Sequence, residues 1–115
     1  MIKGYILTYK PKDSYCRALL NHRLFGRLVY KKTRSSKVAN YSKGMLNDTK
    51  FYRIIGSKVF ILDLKDIDLE EIGLYCEYNI NEEYRNESDI LLLTGLEYWE
   101  KTAREKGVKF INGKH

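Results

Sequence analysis

The segment Phe51-Tyr52-Arg53-Ile54-Ile55-Gly56-Ser57-Lys58-Val59-Phe60-Ile61-Leu62 does most to restrict what this chain can fold into. Two runs rich in β-branched and aromatic residues flank Gly-Ser, and a leading glycine suits a two-residue type II′ hairpin turn. A hairpin commits the chain to an antiparallel sheet. With that turn Ile54 faces Val59 and Tyr52 faces Ile61, so one side of the hairpin is apolar and is expected to be core. On the other side Ile55 faces Lys58, Arg53 faces Phe60 and Phe51 faces Leu62, which mixes aromatics with cations.

The remaining elements are read around this unit. Ile2 to Tyr9 resembles a strand, broken by Pro11. Asp13 or Ser14 can cap a short helix through about His22, with Cys16, Leu19 and Leu20 on one face. Arg23 would fall on that same face, so the helix is expected to stop by Gly26. Leu28 to Lys32 reads as a second strand. Residues 33–44 are polar and basic and have neither helical nor strand period, so they are expected to form an exposed loop.

Asp68-Leu69-Glu70-Glu71 starts a helix that Gly73 should end, followed by a strand from Leu74 to Ile80 and an acidic loop from Asn81 to Ser88. Thr94-Gly95-Leu96-Glu97 has capping-box spacing, with Leu93 and Tyr98 placed as a hydrophobic staple. It predicts an extended lead-in at 90–93 and a helix over 95–106, the best defined in the chain, with Leu96, Trp99 and Ala103 buried and Gly107 as the stop. Val108 to Ile111 completes the pattern as a strand. The order predicts an α+β fold: one small domain spanning 1–115, mainly antiparallel sheet with a central 51–62 hairpin, and two or three helices. A chain of 115 residues, 43% of them hydrophobic, is large enough to bury its own core.

Charge divides the chain. Residues 1–65, the basic half, hold 15 Lys and Arg against three acids, Asp13, Asp48 and Asp63. Residues 66–115, the acidic half, hold 6 Lys and Arg against 12 acids. A solvated surface usually mixes the signs, so a long stretch that excludes one sign implies a field directed at a partner. Arg23, Arg27, Lys31, Lys32, Arg34, Lys37 and Lys43 can reach phosphates from one segment. Tyr30, Tyr41 and Arg53 supply flat groups on which unstacked bases can lie. These ten residues are the expected nucleic-acid-binding set, with RNA or DNA as the partner.

Two other readings compete. The acidic residues of the second half can meet the basic face of another copy or another protein, which would make an interaction module or a homo-oligomer. Alternatively Asp63-Leu64-Lys65, at a strand end, is half of a PD-(D/E)xK nuclease arrangement, with Asp48 as the second metal-binding acid. No Pro precedes Asp48 and no upstream Glu completes that site, so no catalytic residue is assigned. His22 could act as a base in a metal-independent ribonuclease, although a helix-end histidine beside Arg23 is more often structural. Two Cys and two His without close spacing do not make a zinc site, so no metal and no cofactor is expected. Gly-rich phosphate loops, G-x-S-x-G and H-E-x-x-H are absent from the sequence.

No apolar run has the length of a membrane helix. Met1-Ile2-Lys3-Gly4-Tyr5 passes straight into a strand pattern with no leader-like apolar core, so a cytoplasmic protein is expected. Cys16 and Cys76, both among apolar neighbours, are expected as buried thiols, and the sequence leaves open whether they interact.

Overall fold

The computed structural model describes residues 1–34 and 36–111. In chain order the elements are β1 (Ile2–Pro11), α1 (Ser14–Phe25), β2 (Arg27–Lys32), β3 (Lys37–Ser42), β4 (Phe51–Ile54) and β5 (Lys58–Ile61). They continue with α2 (Leu69–Tyr75), β6 (Cys76–Arg85), a 3-10 turn at Glu87–Asp89, α3 (Gly95–Glu105) and β7 (Lys109–Phe110). The strands form two sheets, ordered β4-β5-β1-β6 and β2-β3-β7. All pairings are antiparallel except β3 with β7. The fold is therefore α+β with mostly antiparallel sheet, as expected. The hairpin β4–β5, central in sequence, occupies one end of the larger sheet.

The core lies between one face of the larger sheet and helices α1 and α2, and is filled by Leu7, Leu20, Leu24, Phe25, Phe51, Val59, Ile61 and Ile72. Burying so many large side chains is the main source of stability, at about 1.5–3 kcal/mol for each.

The hairpin register differs from the expected one by a residue. Ile54 pairs with Lys58, Arg53 with Val59, Tyr52 with Phe60 and Phe51 with Ile61. The connection is Ile55-Gly56-Ser57, with φ of 93° at Gly56 and 59° at Ser57. The Tyr9 N–H donates to the Ser57 carbonyl at 3.0 Å, so pairing with β1 continues into the turn and fixes it. A one-residue slip exchanges faces. It buries Phe51 beside Val59 and Ile61 and ejects Ile55, which is 98% exposed. Arg53 moves with Phe51 to the helix-covered face, whereas Tyr52 and Phe60 share the other.

Helix α1 starts at the expected Asp13 cap, which accepts from the Cys16 N–H at 2.8 Å, and ends at Phe25, immediately before the expected stop at Gly26. Its buried residues are Leu20, Leu24 and Phe25, so Arg23 lies outside that row. Three boundaries move. Helix α2 continues through Gly73 to Tyr75. Residues 81–85 of the acidic stretch expected as a loop belong to β6, which pairs with β1 from Ile2–Arg85 to Pro11–Cys76. A full-length partner supplies the backbone bonds, and this overrides weak strand propensity. Residues 37–42, expected within an exposed loop, form β3, with Val38, Ala39 and Tyr41 buried.

The region 90–93 is extended, and Leu93 exchanges backbone hydrogen bonds with Phe51 at 2.9 and 3.1 Å. The capping box of α3 forms: Thr94 Oγ1 accepts from the Glu97 N–H, and the Glu97 carboxylate accepts from the Thr94 N–H. Both cysteines are free thiols, Cys76 buried and Cys16 half-buried. Burial raises the pKa of each.

Candidate nucleic-acid interface

The smaller sheet begins where α1 ends. Gly26 takes φ 75°, which turns the chain from α1 into β2. A Cβ there would lie 2.2 Å from the Ser42 carbonyl oxygen and 2.3 Å from the Tyr41 ring, so only glycine fits. Tyr41 is 5% exposed. Its hydroxyl donates to the Phe25 carbonyl and accepts from the Gly44 N–H, both at 3.3 Å. The Trp99 indole N–H donates to the same carbonyl at 2.6 Å. Phe25 is the last residue of α1, where carbonyls lack partners within the helix. One orphan acceptor thus ties α1, the smaller sheet and α3 together. Tyr41, expected to stack on bases, is instead packed inside, and burial raises its pKa.

Pairing of β2 with β3 sorts the other expected residues onto two faces. Leu28, Tyr30, Lys32, Lys37, Ala39 and Tyr41 share the face that meets α3. Tyr30, Lys32 and Lys37 lie at the outer end of this face and are exposed. Tyr30 is 40% exposed, and the Lys37 ammonium stands 4.4 Å above its ring centroid. The opposite face carries Arg27, Val29, Lys31, Asn40 and Ser42, all exposed. β7 places Lys109 next to Val38 in that row. Arg34 lies in the exposed turn between the strands, where the Thr33 N–H donates to the Ser36 carbonyl at 2.8 Å. Lys43 is exposed just beyond β3.

Five ion pairs form among the described residues: Lys3–Glu82, Arg23–Glu71, Arg85–Glu83, Lys101–Glu105 and Arg104–Glu100. None of them involves Arg27, Lys31, Lys32, Arg34, Lys37, Lys43 or Lys109. No acid occurs between Asp13 and Asp48, so β2, β3 and their turn contain none, and neither does β7.

Two expected members lie elsewhere. Arg23, on α1, forms a two-pronged pair with Glu71 of α2. The pair holds the Glu71 carboxyl below its usual range. Arg53 belongs to the larger sheet, with its guanidinium 4.1 Å from the Phe25 ring centroid and bonded to the Tyr98 hydroxyl at 3.3 Å. Lys109 was not legible as a member, because it lies in the acidic half and only β3–β7 pairing brings it in.

The nuclease candidates make local hydrogen bonds. The Asp63 carboxylate accepts from the Lys65 N–H of its own turn at 3.2 Å, and Asp48 accepts from Asn47. Among the described residues, no three of His, Cys, Asp and Glu gather as a metal-binding group. Among the described residues, no helix is long and apolar enough to cross a membrane. The chain matches no protein-family model, no curated protein and no solved structure.

Proposed function

We propose that this protein binds nucleic acid by its phosphate backbone, on the sheet β2-β3-β7 and the turn between β2 and β3. The observation that carries this reading is a run of cations without counter-charge. Arg27, Lys31, Lys32, Arg34, Lys37, Lys43 and Lys109 are exposed and make no ion pair among the described residues. Cations left unpaired on both faces and at the turn of one ribbon keep their field for a polyanion. A two-stranded ribbon also has a width that the major groove of a duplex admits.

The same surface has little to read bases with. Tyr30 is its one exposed aromatic among the described residues, and Lys37 already covers one side of that ring. Phosphate contacts position a protein but carry no sequence information. Binding is therefore expected to be salt-driven and weakly selective for sequence.

Fluorescence anisotropy with RNA and DNA probes, single-stranded and duplex, across a salt series tests this. The logarithm of affinity should fall linearly with the logarithm of salt, by about 0.9 per neutralised phosphate on duplex and about 0.7 on single strands. Lys31→Gln should lower that slope by roughly one such step, with all probe sequences weakened alike. Negligible binding at low salt, or affinity that does not respond to salt, would overturn the reading.

A further inference from the structure

The larger sheet ends on one side at β6, whose 10 residues pair with β1 along one edge only. One bond shows which backbone groups the other edge presents. The Tyr9 N–H points to Ser57 on the β5 side, and successive residues of a strand bond to opposite sides. Odd-numbered residues of β1 therefore bond toward β5, and even-numbered ones toward β6. Thr8–Asn79, Ile6–Asn81 and Gly4–Glu83 are then pairs that exchange bonds across β1 and β6. This leaves the N–H and C=O groups of Tyr78, Ile80, Glu82 and Tyr84 aimed away from the sheet. No backbone bond between described residues reaches them.

This edge is also uncovered. Glu77, Tyr78, Asn79, Asn81, Glu82 and Tyr84 are exposed. A long row of unpaired backbone groups is a template for another strand.

We propose that β6 pairs antiparallel with β6 of a second copy, about a two-fold axis at Asn81, joining two larger sheets into one. The strand's own sequence selects this register. Bonding requires outward-pointing residues to face each other. With Asn81 opposite itself, Tyr78 faces Tyr84, Ile80 faces Glu82, Asn79 faces Glu83 and Glu77 faces Arg85. Aromatic pairs and opposite charges directly across strands stabilise, whereas like charges destabilise. An axis at Ile80 would set Glu77 against Glu83, and an axis at Glu82 would set that acid against itself. The remaining acids are countered within each copy, Glu82 by Lys3 and Glu83 by Arg85 Nε at 2.6 Å. Arg85 keeps its Nη atoms for Glu77 of the second copy. The pairing supplies about eight backbone hydrogen bonds. It uses the larger sheet alone, so it does not rest on nucleic-acid binding by β2-β3-β7.

Light scattering on the intact protein over a wide range of concentration tests the proposal. The mass should pass from one chain to two as concentration rises. Glu77→Arg and Arg85→Glu should each weaken the dimer about tenfold, because each turns two attractive pairs into repulsive ones. Mixed in equal amounts, the two variants should recover a dimer, since every pair of positions 77 and 85 is then opposite in charge. Asn81→Cys should give a disulfide-linked dimer on oxidation, whereas Asn79→Cys, which faces Glu83, should not. The cysteine variants carry the test if a charge variant fails to fold. A chain that stays monomeric at every concentration overturns the proposal. So do dimers that both charge substitutions leave unchanged, or equal cross-linking through positions 79 and 81.

Discussion

The two sheets solve the same problem with different means. The larger sheet covers one face with α1 and α2 and settles its position by many apolar contacts. Its acidic edge strand, β6, is drawn to β1 by Lys3–Glu82 as well as by backbone bonds. The smaller sheet has a cationic open face and depends on a few contacts at one end, chiefly Tyr41, Gly26 and Trp99 on the last carbonyl of α1. A sheet that keeps its charge unpaired sacrifices electrostatic stabilisation and must be anchored by a small number of well-packed groups. The division between scaffold and proposed binding surface thus coincides with the division between the sheets.

The largest effect should come from Tyr41→Ala. It removes a buried ring and is expected to lower stability by about 3 kcal/mol or more. Hydrogen exchange should then show β2 and β3 losing protection well before β1 and β5. Uniform loss across both sheets would break the comparison. Tyr41→Phe keeps the ring and should cost only about 1 kcal/mol.

Thr94→Ala comes next. It removes the side-chain acceptor of the α3 capping box, and denaturation should report a loss of about 1 kcal/mol. Because β7 follows α3, protection at Val38 and Ala39 should fall more than at Val59.

The smallest effect concerns Arg23 and Glu71, which brace α1 against α2 beneath the larger sheet. The hydrogen bond and charge of Arg23 keep the folded Glu71 carboxyl below its usual range. A depressed carboxyl stabilises the fold above its unfolded pKa, and that contribution is lost as pH falls through the folded pKa. Arg23→Gln should therefore lower stability near neutral pH by under about 1 kcal/mol, because the pair is partly exposed. Urea midpoints of wild type and variant should converge in acid. A gap that persists at low pH would assign the effect to packing.

The sequence carried signals where a local rule decided the structure. Thr94 and Glu97 are such a case, because the capping box needs only four consecutive residues, and so is Asp13 as the α1 cap. It failed where distant partners decided. Glu82 and Glu83 look unlike strand residues, yet β1 supplies β6 with a full set of backbone partners. The hairpin turn was visible at Gly56-Ser57, but the register depended on burying Phe51 and on the Tyr9 bond to Ser57. Val38, Ala39 and Tyr41 were hidden among cations, and the burial of Tyr41 follows from the close approach of Gly26 and Gly95, which sequence spacing does not bring together. The cationic character of the candidate surface was legible, whereas its membership was not: Tyr41, Arg23 and Arg53 leave it, and Lys109 enters.

The position of β1 between β5 and β6 also governs how quickly this chain can fold. Leu7 pairs with Val59 and with Ile80, which are 52 and 73 residues away in the chain. Closing loops of that size before contacts repay them is slow, and rates fall as contacting residues lie farther apart in sequence. The β2–β3 ribbon needs only a short turn, which forms on a microsecond scale for isolated hairpins. The basic ribbon can therefore be sampled early, whereas the sheet that supports it is completed late.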